Sequence, residues 1–209
     1  MIDIEKICDH GVIAIIRQNS YKQAHESAKT LIDCGLKFIE FTTNTPQVFE
    51  LIEEFSEISN INIGIGTVLN VRDLKTAVRS GAKFSVAPGT DIEILNKAKS
   101  MDTLHIPGVF TPSDVSVCVK SGIRLLKLFP AEFLNVNFIQ ALNQPFPNLK
   151  WLVTGGVTNR NIQNWIGAGA HCFGVGNYFL TNENHLTKKR VNKFLNIVTE
   201  EKMKLNENN

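Results

Sequence analysis

The sequence predicts an α/β protein: one small (β/α)8, TIM-type barrel over residues 1–209, with an extra N-terminal helix. Three observations predict it. Four times a helical pattern ends in a small residue and glycine, and a β-rich run follows: CGLKFIEF (34–41), SGAKFSVA (80–87), SGIRLLKL (121–128) and AGAHCFGV (168–175). Glycine ends a helix in the left-handed conformation without a Cβ clash. Eight apolar runs alternate with helical patterns. The length of 209 residues suits an α/β barrel folding as one domain. A doubly wound open sheet is the alternative; its first βα turn usually carries G-x-G-x-x-G, which VIAIIRQNS (12–20) lacks.

The elements follow in order. An acidic, amphipathic N-terminal helix (2–9) is expected to close the barrel bottom. The strands are VIAIIR (12–17), FIEFTT (38–43), NIGIGTV (62–68), FSVAP (84–88), TLHIPGV (103–109), LLKLFP (125–130), KWLVTGG (150–156) and CFGVGNY (172–178). Between the first two, Ala24, Ala28, Leu31 and Ile32 mark the buried stripe of a helix. Thr111–Pro112 reads as cap and first turn of a helix, and Thr158 as the cap of another. The polar tail after residue 199 is expected to fray.

Composition narrows the function classes. Hydrophobic residues make up 43% and charged residues 20%, as in an ordinary globular domain. The formal net charge is +2, which gives no electrostatic reason to expect nucleic acid or an anionic membrane as partner. No apolar run reaches the roughly 20 residues of a membrane span, and the N-terminus lacks a signal-peptide pattern. Cys8, Cys34, Cys118 and Cys172 are widely spaced and read as reduced, structural thiols of a cytoplasmic protein.

Charged residues inside otherwise apolar strands point to chemistry. There are three: Arg17, Glu40 and Lys127. With Leu126 and Leu128 facing the helices, alternation turns Leu125, Lys127 and Phe129 into the barrel, and likewise Phe38, Glu40 and Thr42. Burial lowers a lysine pKa and frees the neutral amine, which attacks carbonyls to form a Schiff base. Glu40 beside it would transfer protons. A purely structural Lys–Glu pair, or a lysine snorkelling from the strand end, is the bland alternative. The turns VTGGVTNRN (153–161) and VGNYF (175–179) carry Gly155, Gly156 and Gly176 on adjacent strands, where barrels often bind phosphate. A helix N-terminus after the first turn would add to that site. Thr67 ends strand three with its hydroxyl toward the pocket. His105 is the one histidine near that region and reads as a core or supporting residue, since no metal spacing accompanies it. Trp151 and Trp165 read as packing between barrel and helices.

The stretches VIAIIR (12–17), CGLKFIEFTTNTP (34–46), IGIGTVLN (63–70), GAKFSVAPG (81–89), HIPGVFTPSD (105–114), LLKLFPAE (125–132) and VTGGVTNRNIQNWIGAG (153–169) resemble the KDPG/KHG aldolase family, class I aldolases of 2-keto-3-deoxy-6-phosphogluconate and 4-hydroxy-2-oxoglutarate. The resemblance implies a (β/α)8 barrel assembled as a homotrimer. It implies Lys127 as Schiff-base lysine and Glu40 as proton-transferring carboxylate. Thr67 looks like a residue holding the pyruvyl carboxylate, Arg17 like a substrate-site cation, and Phe129 like the ring beside the Schiff base. Pro88 and Gly89 resemble the turn bordering the pocket, and Gly155, Gly156 and Gly176 the phosphate-binding turns.

Two positions depart from the gluconate-type pattern: Asn44 stands where an arginine assists carboxylate binding, and Asn177 stands where many members have serine. Asn44 resembles the 6-phosphogalactonate branch, whereas KLFPAE resembles the gluconate branch. The implied reaction needs no metal and no cofactor. The implied ligands are a phosphorylated keto acid and pyruvate, with 6-phosphogalactonate-type and 4-hydroxy-2-oxoglutarate substrates as alternatives. The remote rivals are a non-catalytic phosphosugar-binding barrel and a phosphosugar isomerase or epimerase.

Overall fold

The structure is a computed structural model that describes residues 2–181 and 183–207. Nine parallel strands form one sheet: β1 Val12–Ile16, β2 Phe38–Thr42, β3 Asn62–Gly66, β4 Phe84–Val86, β5 Leu104–Ile106, β6 Gly108–Val109, β7 Leu125–Leu128, β8 Lys150–Thr154 and β9 Cys172–Val175. Their order around the barrel is β5-β4-β3-β2-β1-β9-β8-β7-β6. The helices are α1 Ile4–His10, α2 Tyr21–Asp33, α3 Val48–Ser56, α4 Val71–Arg79, α5 Ile92–Ser100, α6 Pro112–Lys120, α7 Asn137–Asn143, α8 Ile162–Gly167 and α9 Asn184–Glu207. This is the (β/α)8 plan with α1 added.

The four helix-ending glycines behave as their spacing predicts. Gly35, Gly81, Gly122 and Gly169 have φ of 89°, 105°, 81° and 101°. Thr111 caps α6 in a capping box with Asp114, as the Thr-Pro pair announces. Ala24, Ala28 and Leu31 of α2 are fully buried.

The predicted fifth strand, 103–109, is interrupted. Pro107 has no N–H to give a ladder and separates β5 from β6. The two halves bond opposite neighbours. β5 pairs β4, whereas β6 pairs β7, and the Pro107 carbonyl accepts from Lys127 N at 2.9 Å. The break therefore lies where the sheet meets itself.

Strand alternation divides the core in two. Outward residues such as Ile39, Phe41, Leu126, Leu128 and Trp151 pack under the helices. Inward residues Ile13, Phe38, Phe84, Leu104, Leu125, Leu152 and Cys172 form an apolar floor, sealed below by Ile7 and Cys8 of α1. Lys202 of α9 holds α1 by donating to the Cys8 and Asp9 carbonyls. Cys8, Cys34, Cys118 and Cys172 are all free thiols.

Two local expectations need correction. Thr158 does not cap a helix: its N–H donates to Asn161 Oδ1 at 2.8 Å in a turn, and α8 begins only at Ile162. Asn161, the residue before α8, donates through Nδ2 to the Gly156 carbonyl at 2.9 Å, so this six-residue helix starts against the glycine turn. His105 is buried as a core residue, as its sequence position suggests, on the strand face opposite inward-facing Leu104 and Ile106. Its Nδ1 meets Ser85 Oγ at 2.8 Å. The expected fraying after residue 199 is not seen up to Glu207, where α9 ends; residues 208–209 lie outside the described residues.

Barrel closure is tight. A Cβ on Gly108 would lie 2.2 Å from the Pro88 carbonyl oxygen, and backbone cannot swing aside as a side chain can. Gly108→Ala should lower unfolding free energy by about 1–3 kcal/mol, the usual cost of overpacking. Urea denaturation checks this; an unchanged midpoint would contradict the tight closure.

Candidate active site

The apolar floor stops one layer below Glu40 and Lys127. Above it, at the C-terminal ends of the strands, opens a cavity of about 650 Å³. Two glycines make room for it. A Cβ on Gly66 would sit on the Glu40 carboxylate, and one on Gly174 would strike Thr154 Oγ1 at 2.3 Å.

Lys127 reaches the cavity from β7 and Glu40 from β2, both turned inward by alternation. Lys127 is only 5% exposed and Glu40 1%. The Lys127 ammonium position lies 4.7 Å from the centre of the Phe129 ring, two residues on along the same face. Burial pushes the Lys127 amine below the ordinary lysine value of 10.5; Glu40 opposes the shift and Arg17 adds to it. Burial pushes the Glu40 carboxyl up, with Lys127 and Arg17 pulling it back. Each group is moved toward its neutral form. Glu40 Oε2 accepts no hydrogen bond from the described residues, nor does buried Thr154 Oγ1 find a partner. Leaving such buried atoms unsatisfied costs about 1–3 kcal/mol each. Two of them on one cavity suit a polar substrate.

Arg17 leaves the end of β1 and donates through Nη2 to Thr67 Oγ1 at 3.2 Å. Thr67 has φ of 58°, a left-handed conformation that a β-branched residue adopts at a cost of roughly 1–3 kcal/mol. Thr43 Oγ1 pins it by donating to the Thr67 carbonyl at 2.9 Å. Strain held in place by two neighbours aims the Thr67 hydroxyl at the cavity.

Pro88, Phe129, Gly155, Gly156, Gly176 and Asn177 also line the cavity. Gly155 and Gly156 have φ of 100° and 69°, so the turn after β8 needs glycine at both places. Asn44 stands apart. It is exposed, in a turn closed by Thr45 N donating to the Thr42 carbonyl at 2.9 Å, and does not line the cavity. Sequence reasoning missed Thr154, Glu132, Thr158, Tyr178 and Arg190, which also line it. Thr154 was within reach of the alternation rule, being two residues beyond inward Leu152. Arg190 lies in a KKR run on α9, where composition reads only as a solvated face.

A known family model covers the strands that carry the buried lysine and glutamate and both glycine turns. That model, "KDPG and KHG aldolase", matches residues 4–197. The chain belongs to the KDPG and KHG aldolase family. It is 34% identical to a 2-dehydro-3-deoxy-phosphogluconate aldolase of Pseudomonas aeruginosa, over 78% of this chain and 76% of that one. It is 30% identical to a probable 2-dehydro-3-deoxy-6-phosphogalactonate aldolase of Rhizobium meliloti, over 80% and 81%. The fold matches the 2-keto-3-deoxy-6-phospho-gluconate aldolase of Zymomonas mobilis with a TM-score of 0.84 at 24% identity, covering 91% of this chain and 95% of that one.

The electrostatics predict a pH dependence. The neutral amine is the reactive form, so a lowered pKa moves its reactivity to lower pH. Reductive methylation followed by peptide mapping should show Lys127 labelling rise with a midpoint below 10.5. A midpoint at or above that value would contradict the buried, neutral-leaning amine.

Proposed function

We propose that this chain is a class I aldolase that cleaves a 2-keto-3-deoxy-6-phospho sugar acid to pyruvate and glyceraldehyde 3-phosphate through a Schiff base on Lys127. The carrying observation is the buried amine, pushed toward its neutral form, sharing a cavity with a buried carboxyl that no described residue satisfies. The family's carbon–carbon lyase chemistry agrees with it.

The steps follow from these groups. Neutral Lys127 Nζ attacks the C2 ketone, and loss of water gives an iminium. Glu40, its basicity raised by burial, takes the proton of the C4 hydroxyl. The C3–C4 bond breaks; its electron pair neutralises the iminium to an enamine, and the aldehyde leaves. Glu40 returns the proton to C3, and water hydrolyses the iminium to pyruvate and free lysine. Arg17 and Thr67 receive the C1 carboxylate, and the Phe129 ring flanks the imine. The turns at Gly155–Gly156 and Gly176–Asn177 receive the phosphate on backbone amides. The lysine supplies the electrophilic activation, so the reading needs no metal and no cofactor.

A second substrate is kept for a stated reason. Curated relatives carry both the phosphogluconate and the phosphogalactonate names. The galactonate epimer, or 4-hydroxy-2-oxoglutarate, would use the same lysine.

Two further parts of the reading concern assembly and place. Leu69, Phe110 and Phe133 are exposed on the connections after β3, β6 and β7, as is Ile92 at the start of α5, and Phe133 is 75% exposed. An apolar row on neighbouring loops suits burial in a homotrimer. No helix of the described residues is long and apolar enough to cross a membrane, in keeping with a cytoplasmic enzyme.

Pyruvate release, coupled to a reductase and measured on a panel of these keto acids, tests the reading. The wild type should release pyruvate from at least one phosphorylated 2-keto-3-deoxy acid. Lys127→Ala should abolish release, and Glu40→Gln should slow it about 10²–10⁴-fold, the span of general acid–base catalysis. A Lys127→Ala enzyme that kept most of its rate would overturn the mechanism. A near-normal Glu40→Gln rate would reduce Glu40 to a charge partner of Lys127.

A further inference from the structure

The cavity carries a second cation that the mechanism above does not use. Arg190 comes from α9 and lines the cavity beside the glycine turns. Its Nη1 donates to the Tyr178 carbonyl at 2.9 Å. Its guanidinium carbon lies 5.2 Å from the centre of the Tyr178 ring. One edge and one face of the fork are thus fixed by the very turn that carries Gly176 and Asn177.

A guanidinium has five N–H donors, and one fixed contact leaves the others available. Arg190 forms no ion pair among the described residues. Glu132, whose backbone and Cβ crowd Gly156, is the carboxylate on this flank and forms none either. The opposite flank is organised around Arg17, which leans from β1 toward Thr67 beyond β3. β1 and β9 are neighbours in the barrel, so Arg17 and Arg190 serve opposite sides of this strand pair. One cavity therefore has a cation on each flank, with the amine and carboxyl rising from its floor. That arrangement fits a substrate with an anionic group at each end.

We propose that Arg190 contacts the distal phosphate directly and sets the preference for phosphorylated over unphosphorylated keto acids. This rests on the phosphate reading of the glycine turns. The backbone amides of those turns define where the anion sits, and the prepositioned guanidinium supplies the charge. A fork already held by Tyr178 loses little side-chain freedom on binding and offers phosphate a bidentate, charge-assisted contact.

The test compares the full-length wild type with Arg190→Gln and Arg190→Lys. The measurement is kcat/KM for a 2-keto-3-deoxy-6-phospho acid and for its dephosphorylated counterpart. The wild type should prefer the phosphorylated compound. Arg190→Gln should lower the ratio of the two values about tenfold or more, the worth of a hydrogen bond between charged groups, and Arg190→Lys should recover part of it. Both variants should still form a borohydride-trappable adduct with pyruvate, which has no distal anion; this shows that the Lys127 half of the site is intact. An unchanged ratio in Arg190→Gln, with the wild-type preference present, overturns the role of Arg190 alone. An equal fall for both compounds overturns it too, because Arg190 would then act only through the Tyr178 turn. A wild type with no preference overturns the phosphate reading of the glycine turns as well as this proposal.

Discussion

Burying an amine inside a barrel is the constraint on which the site depends. A charged lysine taken out of water costs several kcal/mol unless it is paired, and among the described residues no direct ion pair compensates it. The alternative is for the charge to diminish. Burial drives the Lys127 amine down and the Glu40 carboxyl up, and each partly restrains the other. The same desolvation that makes Lys127 unfavourable as a structural group shifts its amine toward the neutral form. Stability should follow with the expected sign: the unfolded chain binds the Lys127 proton more tightly than the folded one, so this lysine's unfavourable contribution fades as pH rises toward 10.5.

The rest of the barrel is arranged around that pair. Phe38, Phe84, Leu125 and Leu152 keep the layer below it dry, and α1 closes the bottom with Ile7 and Cys8. Gly66 and Gly174 leave out the Cβ atoms that would displace the Glu40 and Thr154 side chains. Thr67 is held in a conformation its branched side chain disfavours, by Arg17 on one side and Thr43 on the other. Strain of this kind persists only where surrounding contacts over-determine it, and it falls here on the rim of the cavity.

How much of this was legible in the sequence depended on whether a local rule governed it. Period-two alternation placed Lys127 and Glu40 inside, because a strand buried on both faces leaves a charge conspicuous. The small-Gly repeat placed four helix ends and hence the βα register. Pro107 was visible as a strand breaker, yet the apolar run around it reads as continuous until the pairing on its two sides is known. The resemblance gave Asn44 the place of a carboxylate-binding arginine, but the turn that buries Thr45 leaves Asn44 exposed and off the cavity wall. Arg190 was hidden for a tertiary reason: it is one of several cations on a helix, and only the packing of α9 against the β9 turn selects it. The left-handed Thr67 had no sequence signal, since local propensity argues against it.

The central claim is that Lys127 forms the imine, and mapping a trapped adduct tests it most directly. Wild-type enzyme incubated with pyruvate and borohydride should gain the mass of one reduced pyruvyl group per chain, because reduction fixes an iminium as a stable secondary amine. Fragmentation should place that mass on the peptide containing Lys127. Absence of the adduct, or its appearance on a different lysine while Lys127 stays unmodified, would contradict the account.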